Sequence, residues 1–402
     1  MRILFISTKQ PSVNPRLRKA AQTLTQEGNT VHILYAYSSE WAMEADEKLL
    51  QEVNWTQEMI GGNPTNQSLK YFFHRTIKIF LSAITGNPLQ YCHAFPEFLR
   101  KSRKWKPDLI IGHNPGSLWL IYCLKFKLNK SVLFDAEDYH SGELSLGTKE
   151  SQSIHSLEDR VLSKIDSMTA ASPLIAQFYK KRFPRTPIET INNAFPINLQ
   201  PKSPTHFSAN QPITIVWFSQ VVGLDRGIKE FLLGLSHCSS IPLRLDIVGK
   251  CSQKIEHILD KFIHSPLHEV NFLPLMDEAK LFEFISKHEI GLALETGTTL
   301  NRDICRTNKL FVYPMCGCFT LFSKTSAQVD FVKSYPEAGR LVSLNEPLDI
   351  KSAIEFVANN RTEVFQKRIK SWQLANETLN WEEESQKLLR FIHQHHNKPQ
   401  GS

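Results

Sequence analysis

The chain has 402 residues, of which 41% are apolar and 22% charged, as in a folded globular protein. This length accommodates two domains of ordinary size. The 47 lysines and arginines outnumber the 40 acidic residues, which gives a net charge of +7. No apolar run is long enough to cross a bilayer, and no groove-reading module or base-stacking platform is visible, so we expect neither an integral membrane protein nor a nucleic-acid-binding protein.

The amino-terminal stretch MRILFISTKQ predicts a first core strand rather than a signal peptide, because it lacks a small-residue cleavage site. The seven cysteines are scattered, which suits reduced thiols, and the pair Cys316 and Cys318 has no second pair with which to bind zinc. We therefore predict a cytoplasmic location.

Short strand-like runs alternate with helical patterns in the first half of the chain. The runs lack strict alternation, as expected of strands covered on both faces: Arg2–Ser7, Val31–Ala36, Leu109–His113, Val132–Glu137, Ser167–Ser172 and Ile188–Asn192. One helix is predicted after Asn14-Pro15. Another is predicted after Ser172-Pro173, where Ser172 is a capping residue before proline. A stretch rich in proline and polar residues, Phe195–Pro212, then predicts a linker.

The alternation starts again after the linker. Strands are predicted at Ile213–Phe218, Leu243–Val248, Val270–Leu273, Ile290–Glu295, Phe319–Ser323 and Arg340–Ser343. Two successive series of this kind predict an α/β protein with two doubly wound, Rossmann-like domains. Ligands bind such domains beyond the carboxyl ends of the strands, so we expect the site in a cleft that both domains face.

Two basic segments lie in the first half. Lys9–Lys19 places Arg16 and Arg18 near the end of the first strand, where they would either contact a phosphate group of a substrate or form an ordinary basic first helical turn. Residues 69–106 hold eight cations and a single acid, Glu97. Within them, Ser68–Gly86 carries apolar residues at helical spacing, which predicts either a core helix or a contact with an anionic membrane surface.

Two polar stretches follow predicted strands of the first half. His113 ends a strand before an Asn-Pro-Gly turn, and this position fits either a structural or a catalytic histidine. The stretch LFDAEDYHSGE contains Asp135, Glu137, Asp138 and His140. It predicts either a group that binds hydroxyls of a substrate or a solvated loop, and no metal site.

Polar groups also follow the strands of the second half. Gly223 and Arg226 lie between a strand and a helix, which suggests an anion site, with a plain connecting loop as the alternative. Lys250 and Glu295 end two further strands, and Asn308 and Lys309 begin a helix that Pro314 should shorten or kink. Each signal is weak alone, and together they predict a site for a diphosphate.

Several of these segments are similar to those of a known protein family. The segments MRILFIS, NPRLRKAAQTL, PDLIIGHNP, LFDAEDYH, WFSQ, IVGK, GLAL and NKLFVYPMCG resemble GT-B nucleotide-sugar glycosyltransferases, close to family 4, over almost the whole chain. The resemblance implies a GT-B fold, retaining transfer without metal or cofactor, a nucleotide diphosphate sugar as donor and a glycan or lipid-linked acceptor. It also implies a role in cell-surface polysaccharide or glycan synthesis. Together with the basic residues of 69–106, this predicts a peripheral position at the inner face of the cell membrane.

The resemblance also assigns residues. Arg226 takes the place of the family's phosphate-binding lysine, Asn308 and Lys309 match an Asn-Lys pair near the donor, and His113 would lie near the transferred sugar. The two acids of the family's E-x7-E motif would fall at Ile304 and Val312, so both are missing. Gly223, Lys250 and Glu295 complete the predicted donor group.

The predicted domains are residues 1–195 for the acceptor, a linker at 196–212, residues 213–380 for the donor, and a final helix at 381–402 that packs back across both. Two other functions remain open from the sequence. One is a nucleotide-sugar-binding protein without catalysis, which the missing acids suggest, and the other is a UDP-sugar epimerase of the same fold.

Overall fold

The computed structural model describes residues 1–85, 87–145, 147–208 and 210–396, and in these the chain forms two compact units. The first unit comprises Met1–Asn192, Thr299–Asn301 and the chain from Ser385, and the second comprises Asn193–Thr298 and Arg302–Glu384. The division falls after Asn192, where the sequence predicts a boundary after residue 195. The predicted final helix is shared between the units, and its residues 397–402 lie outside the described part.

The first unit contains a seven-stranded sheet in which every described strand pair is parallel. Its strands are β1 (Arg2–Ser7), β2 (Thr30–Ala36), β3 (Thr56–Ile60), β4 (Leu109–His113), β5 (Ser131–Ala136), β6 (Ser167–Ala170) and β7 (Ile188–Thr190), in the order β3-β2-β1-β4-β5-β6-β7. Its helices are α1 (Pro15–Gln26), α2 (Trp41–Glu52), α3 (Ser68–Thr85), α4 (Phe95–Trp105), α5 (Leu118–Leu128), α6 (Lys149–Val161) and α7 (Pro173–Arg182).

The sequence failed to predict β3, and its composition explains why. The strand TQEMI lies at the edge of the sheet and buries only Ile60. A strand with one neighbour needs no apolar run, so it carries little periodic signal. The predicted cap at Ser172 is confirmed, because its side chain accepts a hydrogen bond from Ile175 N. Asn14 caps α1 in the same way and accepts a hydrogen bond from Leu17 N.

The second unit contains a six-stranded parallel sheet with the same strand order as the first six strands of the other unit. Its strands are β8 (Ile213–Val221), β9 (Leu243–Lys250), β10 (His268–Leu273), β11 (Ile290–Ala293), β12 (Phe319–Ser323) and β13 (Gly339–Val342), in the order β10-β9-β8-β11-β12-β13. The remaining helices are α8 (Ile228–Leu235), α9 (Gln253–Asp260), α10 (Glu278–Ile285), α11 (Leu300–Ile304), α12 (Lys309–Met315), α13 (Ser326–Ser334), α14 (Pro347–Asn359), α15 (Arg361–Glu377) and α16 (Trp381–His396).

The predicted linker packs against α15 along part of its length. Trp372 Nε1 donates to the Pro201 carbonyl at 2.9 Å, and the buried Arg368 donates to the Thr205 carbonyl at 2.9 Å and the Gly317 carbonyl at 2.6 Å. These bonds satisfy backbone groups that an irregular segment would otherwise leave without partners. They therefore anchor the polar linker without an apolar stretch of its own.

Candidate functional site

The strand order of each sheet reverses at one point, and the predicted site residues collect there. In the first sheet the reversal lies between β1 and β4, and in the second between β8 and β11. Loops that leave such neighbouring strands in opposite directions open a crevice at the carboxyl ends, which is where doubly wound domains bind ligands. His113 ends β4, Arg226 lies in the loop after β8, and Glu295 follows β11.

His113 is the centre of a buried polar group in the first unit. Its Nδ1 lies 2.8 Å from Glu137 Oε1 and 3.4 Å from Asp135 Oδ2, and its ring stacks on Phe5 at 5.7 Å between centroids. The residue is 1% exposed, and its Nε2 has no hydrogen-bond partner among the described residues. A buried ring nitrogen without a partner is available to a ligand.

Arg16 is paired with Asp135 rather than open to solvent. Its Nε and Nη2 each donate to the Asp135 carboxylate at 2.7 Å, its Nη1 donates to the Ile191 carbonyl, and Thr169 also donates to Asp135. Burial alone would raise the pKa of Asp135, but the charge of Arg16 and the hydrogen bonds from Arg16 and Thr169 lower it overall. Arg16 therefore holds Asp135 as a carboxylate, instead of offering its guanidinium to an acceptor phosphate.

Glu137 accepts hydrogen bonds from two side-chain amides in addition to its contact with His113. Asn14 Nδ2 donates to Oε1 at 2.5 Å, and Asn114 Nδ2 donates to Oε2 at 3.2 Å. Burial opposes ionisation, but His113 and Asn14 lower the pKa of Glu137 overall. The sequence predicted no role for Asn14 or Asn114 in this group, although an asparagine directly after a strand or before a helix is a usable signal for such a role.

The loop after Glu137 holds a second polar group in the same unit. His140 Nδ1 lies 2.5 Å from Glu143 Oε1, and Asp138 accepts a hydrogen bond from Asn301 Nδ2 at 2.8 Å. Burial opposes protonation of His140, but Glu143 and Asp138 raise its pKa overall, whereas burial raises the pKa of Asp138. The predicted acceptor residues thus form two adjoining groups rather than one.

Two sets of side chains have the spacing of a metal site. One atom each of His113, Asp135 and Glu137 lie within 4.8 Å of one another, and so do atoms of Asp138, His140 and Glu143. In the first set, Arg16, Thr169, Asn14 and Asn114 already donate to both carboxylates. Among the described residues, the second set has no arginine or lysine ion pair comparable to that of Arg16 with Asp135, so it is the better arranged of the two for a metal ion. That no metal is required remains a prediction.

The second unit brings together three of the predicted donor residues. Glu295, 2% exposed, accepts a hydrogen bond from Arg226 Nη1 at 3.2 Å, and its Oε1 lies 4.0 Å from Lys309 Nζ. Its Oε2 is buried and has no hydrogen-bond partner among the described residues. Two cations around a single carboxylate leave a net positive charge beside an unused acceptor.

Lys309 is buried although it begins a helix. Its ammonium lies 5.2 Å from the centre of the Trp217 ring and 5.6 Å from that of Phe218. Burial lowers the pKa of Lys309 to about 8, against the opposing charge of Glu295. Helix α12 is seven residues long with Pro314 inside it, so the predicted shortening is confirmed.

The other predicted donor residues lie at the same edge without joining this contact. The Lys250 carbonyl accepts a hydrogen bond from Val222 N at 3.0 Å, so the end of β9 borders the Gly223 loop, and the Lys250 side chain is exposed. Asn308 is exposed and accepts a hydrogen bond from Asn193 Nδ2 at 3.1 Å. Val312, at the aligned position of the missing acid, is buried in the core.

Helix α3 turns its apolar face to solvent, so the core interpretation is wrong for most of it. Leu69, Phe72, Phe73, Ile79 and Phe80 are 55–88% exposed and lie on one side of the helix. The opposite side faces the unit through polar residues: Lys70 and His74 contact the buried Glu97 at 2.9 and 3.0 Å. Gly86, the predicted end of the segment, lies outside the described residues.

The cations of residues 69–106 are largely unpaired. Among the described residues, those without an ion pair are Arg75, Lys78, Arg103, Lys104 and Lys106, whereas Lys101 pairs with Glu58. The described helices include none with both the length and the apolar content that spanning a bilayer requires. An exposed apolar helix face near unpaired cations is typical of helices that lie on the surface of an anionic membrane and do not cross it.

Comparisons with known proteins identify the fold. The chain matches no protein-family model and no curated protein sequence. Among solved structures, it resembles a sucrose-phosphate synthase from Thermosynechococcus elongatus, with 14% identity, 98% of each chain covered and a TM-score of 0.71. It also resembles Anabaena HepE in complex with UDP and glucose, with 14% identity, coverage of 98% of this chain and 100% of that chain, and a TM-score of 0.71.

A third similar structure is that of the lipopolysaccharide outer core galactosyltransferase WaaB, with 14% identity, coverage of 98% of this chain and 99% of that chain, and a TM-score of 0.65. The likeness extends along the full length in each case, and it accompanies two parallel sheets of six and seven strands. The protein therefore has the GT-B fold of nucleotide-sugar glycosyltransferases, as predicted.

Proposed function

We propose that this protein is a glycosyltransferase that moves a sugar from a nucleotide diphosphate donor to a glycan or lipid-linked acceptor. The observation that carries the proposal is the group of Glu295, Arg226 and Lys309 at the switch point of the second sheet. It offers cations for a diphosphate where a doubly wound domain binds ligands. Solved structures of HepE with UDP and with UDP-glucose support this donor class.

The donor would be held mainly by charge. Arg226 and Lys309 would neutralise the leaving diphosphate, with the start of α8 nearby, and Glu295 Oε2 would accept a hydrogen bond from a donor hydroxyl. This assigns to Glu295 part of the role that the missing acid at Val312 has in similar enzymes. Gly223, Lys250 and Asn308 would complete the rim of the donor site.

The acceptor would be bound by the first unit, at the group around His113. Asp135, Glu137, Asp138 and His140 would bind acceptor hydroxyls, and His113 would lie near the transferred sugar. Catalysis would then consist of positioning both substrates and neutralising the leaving group, in a retaining reaction without a metal. We further propose that the product belongs to a cell-surface polysaccharide or glycan.

We also propose that α3 and the basic residues of 69–106 rest on an anionic membrane at the cytoplasmic face. The position of α3 relative to His113 supports this. Helix α3 contacts the turn Asn87–Tyr91, and a Cβ on Gly116 would lie 2.4 Å from the Tyr91 carbonyl, so the turn also reaches the loop after His113. A lipid-linked acceptor could thus stay in the membrane while its glycan reaches His113.

The experiment is a screen of nucleotide sugars for thermal stabilisation, followed by transfer assays with the best donor. Arg226→Ala should lower turnover roughly 100-fold, as for loss of one preorganised charge in an active site, with the fold intact. The matched control is Arg340→Ala, because Arg340 is equally exposed and also paired with a carboxylate. Equal turnover in the two variants would refute the role of Arg226.

The same assays separate the two alternatives. Stabilisation by a nucleotide sugar without transfer or hydrolysis would indicate a binding protein. Interconversion of UDP-sugars in the absence of acceptor would indicate an epimerase.

A further inference from the structure

The hydrogen bonds around Glu137 determine which nitrogen of His113 carries a proton. Asn14, His113 and Asn114 all bring nitrogen atoms to the Glu137 carboxylate, at 2.5, 2.8 and 3.2 Å. A carboxylate that receives several donors is stabilised in its ionised form, in which it can only accept hydrogen bonds. Each nitrogen that contacts it must then be a donor.

The Asn14 amide is oriented by a second bond. Its side-chain oxygen accepts from the backbone N–H of Leu17 at 3.0 Å, as the cap of α1. The amide nitrogen of Asn14 therefore faces Glu137, and the amide cannot rotate to offer Glu137 an oxygen without losing the bond from Leu17. Glu137 accepts from this amide, so its Oε1, which is also the atom nearest His113 Nδ1, acts as an acceptor.

We propose that Glu137 is a positioning residue, which holds neutral His113 in the tautomer with the proton on Nδ1. The Nε2 atom is then a hydrogen-bond acceptor, and it is buried without a partner. An acceptor in this position takes a hydroxyl of a ligand rather than a carbonyl or a phosphate oxygen. That the hydroxyl belongs to a sugar rests on the proposed function, whereas the tautomer does not.

Asp135 reinforces this assignment. Its Oδ2 lies 3.4 Å from the same Nδ1, so a second carboxylate faces the proton on that nitrogen. Arg16 and Thr169 bind Asp135 and keep it in place. Both acids therefore act on one side of the ring and leave the other side to the ligand.

The test is nitrogen-15 NMR of histidine-labelled full-length protein at neutral pH, which reports the protonation of each ring nitrogen. The chain has 15 histidines, so the His113 signals are assigned from their loss in His113→Gln. Wild type should show a protonated Nδ1 and an unprotonated Nε2 for His113. A protonated Nε2, whether in the other tautomer or in an imidazolium, would overturn the proposal.

One variant of Glu137 and one control variant test whether Glu137 determines the tautomer of His113. Glu137→Gln should populate the opposite tautomer or a mixture of the two, because a carboxamide can donate to Nδ1. Glu143→Gln, which affects the contact of His140 instead, should leave the His113 signals unchanged. Unchanged His113 signals in Glu137→Gln would also overturn the proposal.

Kinetics supply a separate readout once a donor and an acceptor are known. Glu137→Gln should lower kcat roughly 100-fold, the size expected for loss of one preorganised hydrogen bond in an active site, with the donor KM little changed. Glu137→Asp should recover part of kcat, because it keeps the charge. If no sugar is transferred at all, the proposed function fails, while the NMR result still decides the tautomer.

Discussion

Lys309 shows how burial changes the behaviour of one side chain in the candidate donor site. It is 5% exposed, and its ammonium lies beside two aromatic rings and one carboxylate. Desolvation disfavours its charged form and lowers its pKa to about 8. The charge of Lys309 therefore changes within the range in which enzymes are assayed, whereas that of Arg226 does not.

The first prediction concerns the pH dependence of UDP binding. Lys309 is charged below its pKa of about 8 and neutral above it, so UDP should bind more weakly as the pH rises from neutral to alkaline. The loss should be roughly tenfold, as for one hydrogen bond to a charged group. The charge of the phosphates stays constant in this range, since their second pKa is about 6.

Calorimetry of UDP binding at several pH values measures this effect. Lys309→Met should bind UDP weakly at every pH and show a flat profile. Lys250→Met, the matched control for an exposed lysine at the same edge, should keep the slope of the wild type. Equal slopes in wild type and Lys309→Met would show that another group titrates.

At the residue scale, the sequence predicted which charged residues lie at the ends of strands, but not which residues most of them contact. Glu295 and Arg226 follow β11 and β8, and these strands are neighbours in the doubly wound order, so their proximity was predictable from topology. The pairing of Arg16 with Asp135 was not, because it joins residues far apart in the chain through the register of β1, β4 and β5. The roles of Asn14 and Asn114 depend on the same register, and that of Thr169 depends on the register of β5 and β6, which places it opposite Asp135.

At the element scale, the start of α8 depends on a glycine. Gly227 has φ of +79°, and a Cβ at this position would lie 2.8 Å from Leu344 Cδ1 and 3.0 Å from Leu294 Cβ. Leu294 directly precedes Glu295, so crowding there would move the carboxylate that contacts Arg226 and Lys309. The loop after β8 and the end of β11 are therefore coupled through this close approach.

The second prediction compares two glycines of the same conformation. Gly28 has φ of +78° and no atom within 4 Å of an added Cβ, so Gly28→Ala measures backbone strain alone. That strain should cost about 1–2 kcal/mol in the free energy of unfolding. Gly227→Ala should cost more, by roughly 1–3 kcal/mol for overpacking, and should also weaken UDP binding.

Urea unfolding of both variants measures the difference. Equal losses of stability in Gly227→Ala and Gly28→Ala would show that Leu294 and Leu344 adjust freely, and that the start of α8 is not tightly packed.

The third prediction concerns α3. Wild type should bind vesicles that contain an anionic phospholipid, and the binding should weaken with salt because the cations contribute through screened charge. Changing Leu69, Phe72 and Phe80 together to Ser should reduce binding at least tenfold, since each buried apolar side chain contributes roughly 1.5–3 kcal/mol. Co-sedimentation at low and high salt measures both effects.

The matched control is Phe126→Ser on α5, since Phe126 is 60% exposed and Phe80 is 64% exposed. It should bind vesicles as the wild type does. Failure of the wild type to bind anionic vesicles at low salt would remove the membrane from the proposed function, and equal binding to neutral vesicles would remove the role of the cations.

At the scale of the whole molecule, the two sheets share one construction. Each is parallel, each reverses its strand order once, and each places polar groups at the carboxyl ends beside that point. The first unit presents carboxylates and histidines there, and the second presents cations around one carboxylate. This difference in charge is the reason why we propose hydroxyl binding for the first unit and diphosphate binding for the second.

The fourth prediction follows from that division. Because Arg226 and Lys309 would supply the positive charge that the leaving diphosphate requires, transfer should be unchanged by excess chelator and by added magnesium or manganese. Transfer assays in dialysed protein with and without chelator measure this. Loss of activity on chelation, restored by a divalent cation, would instead point to Asp138, His140 and Glu143 as metal ligands.

The sequence by itself determined the class of fold and the positions of the candidate site, because both follow from local patterns. Apolar runs alternating with helical patterns specify parallel sheets, and polar residues directly after a strand must lie at its carboxyl end. The edge strand β3 escaped detection because only one of its residues is buried.

Tertiary structure alone decided what each charge contacts and what each helix covers. The spacing of apolar residues in α3 shows that one face is apolar, but it does not determine whether protein or solvent meets that face. The structure turns its polar side to Glu97 and its apolar side outward. In the same way, burial and packing against Trp217 and Phe218, rather than the residue type, lower the pKa of Lys309 into the range of an enzyme's working pH.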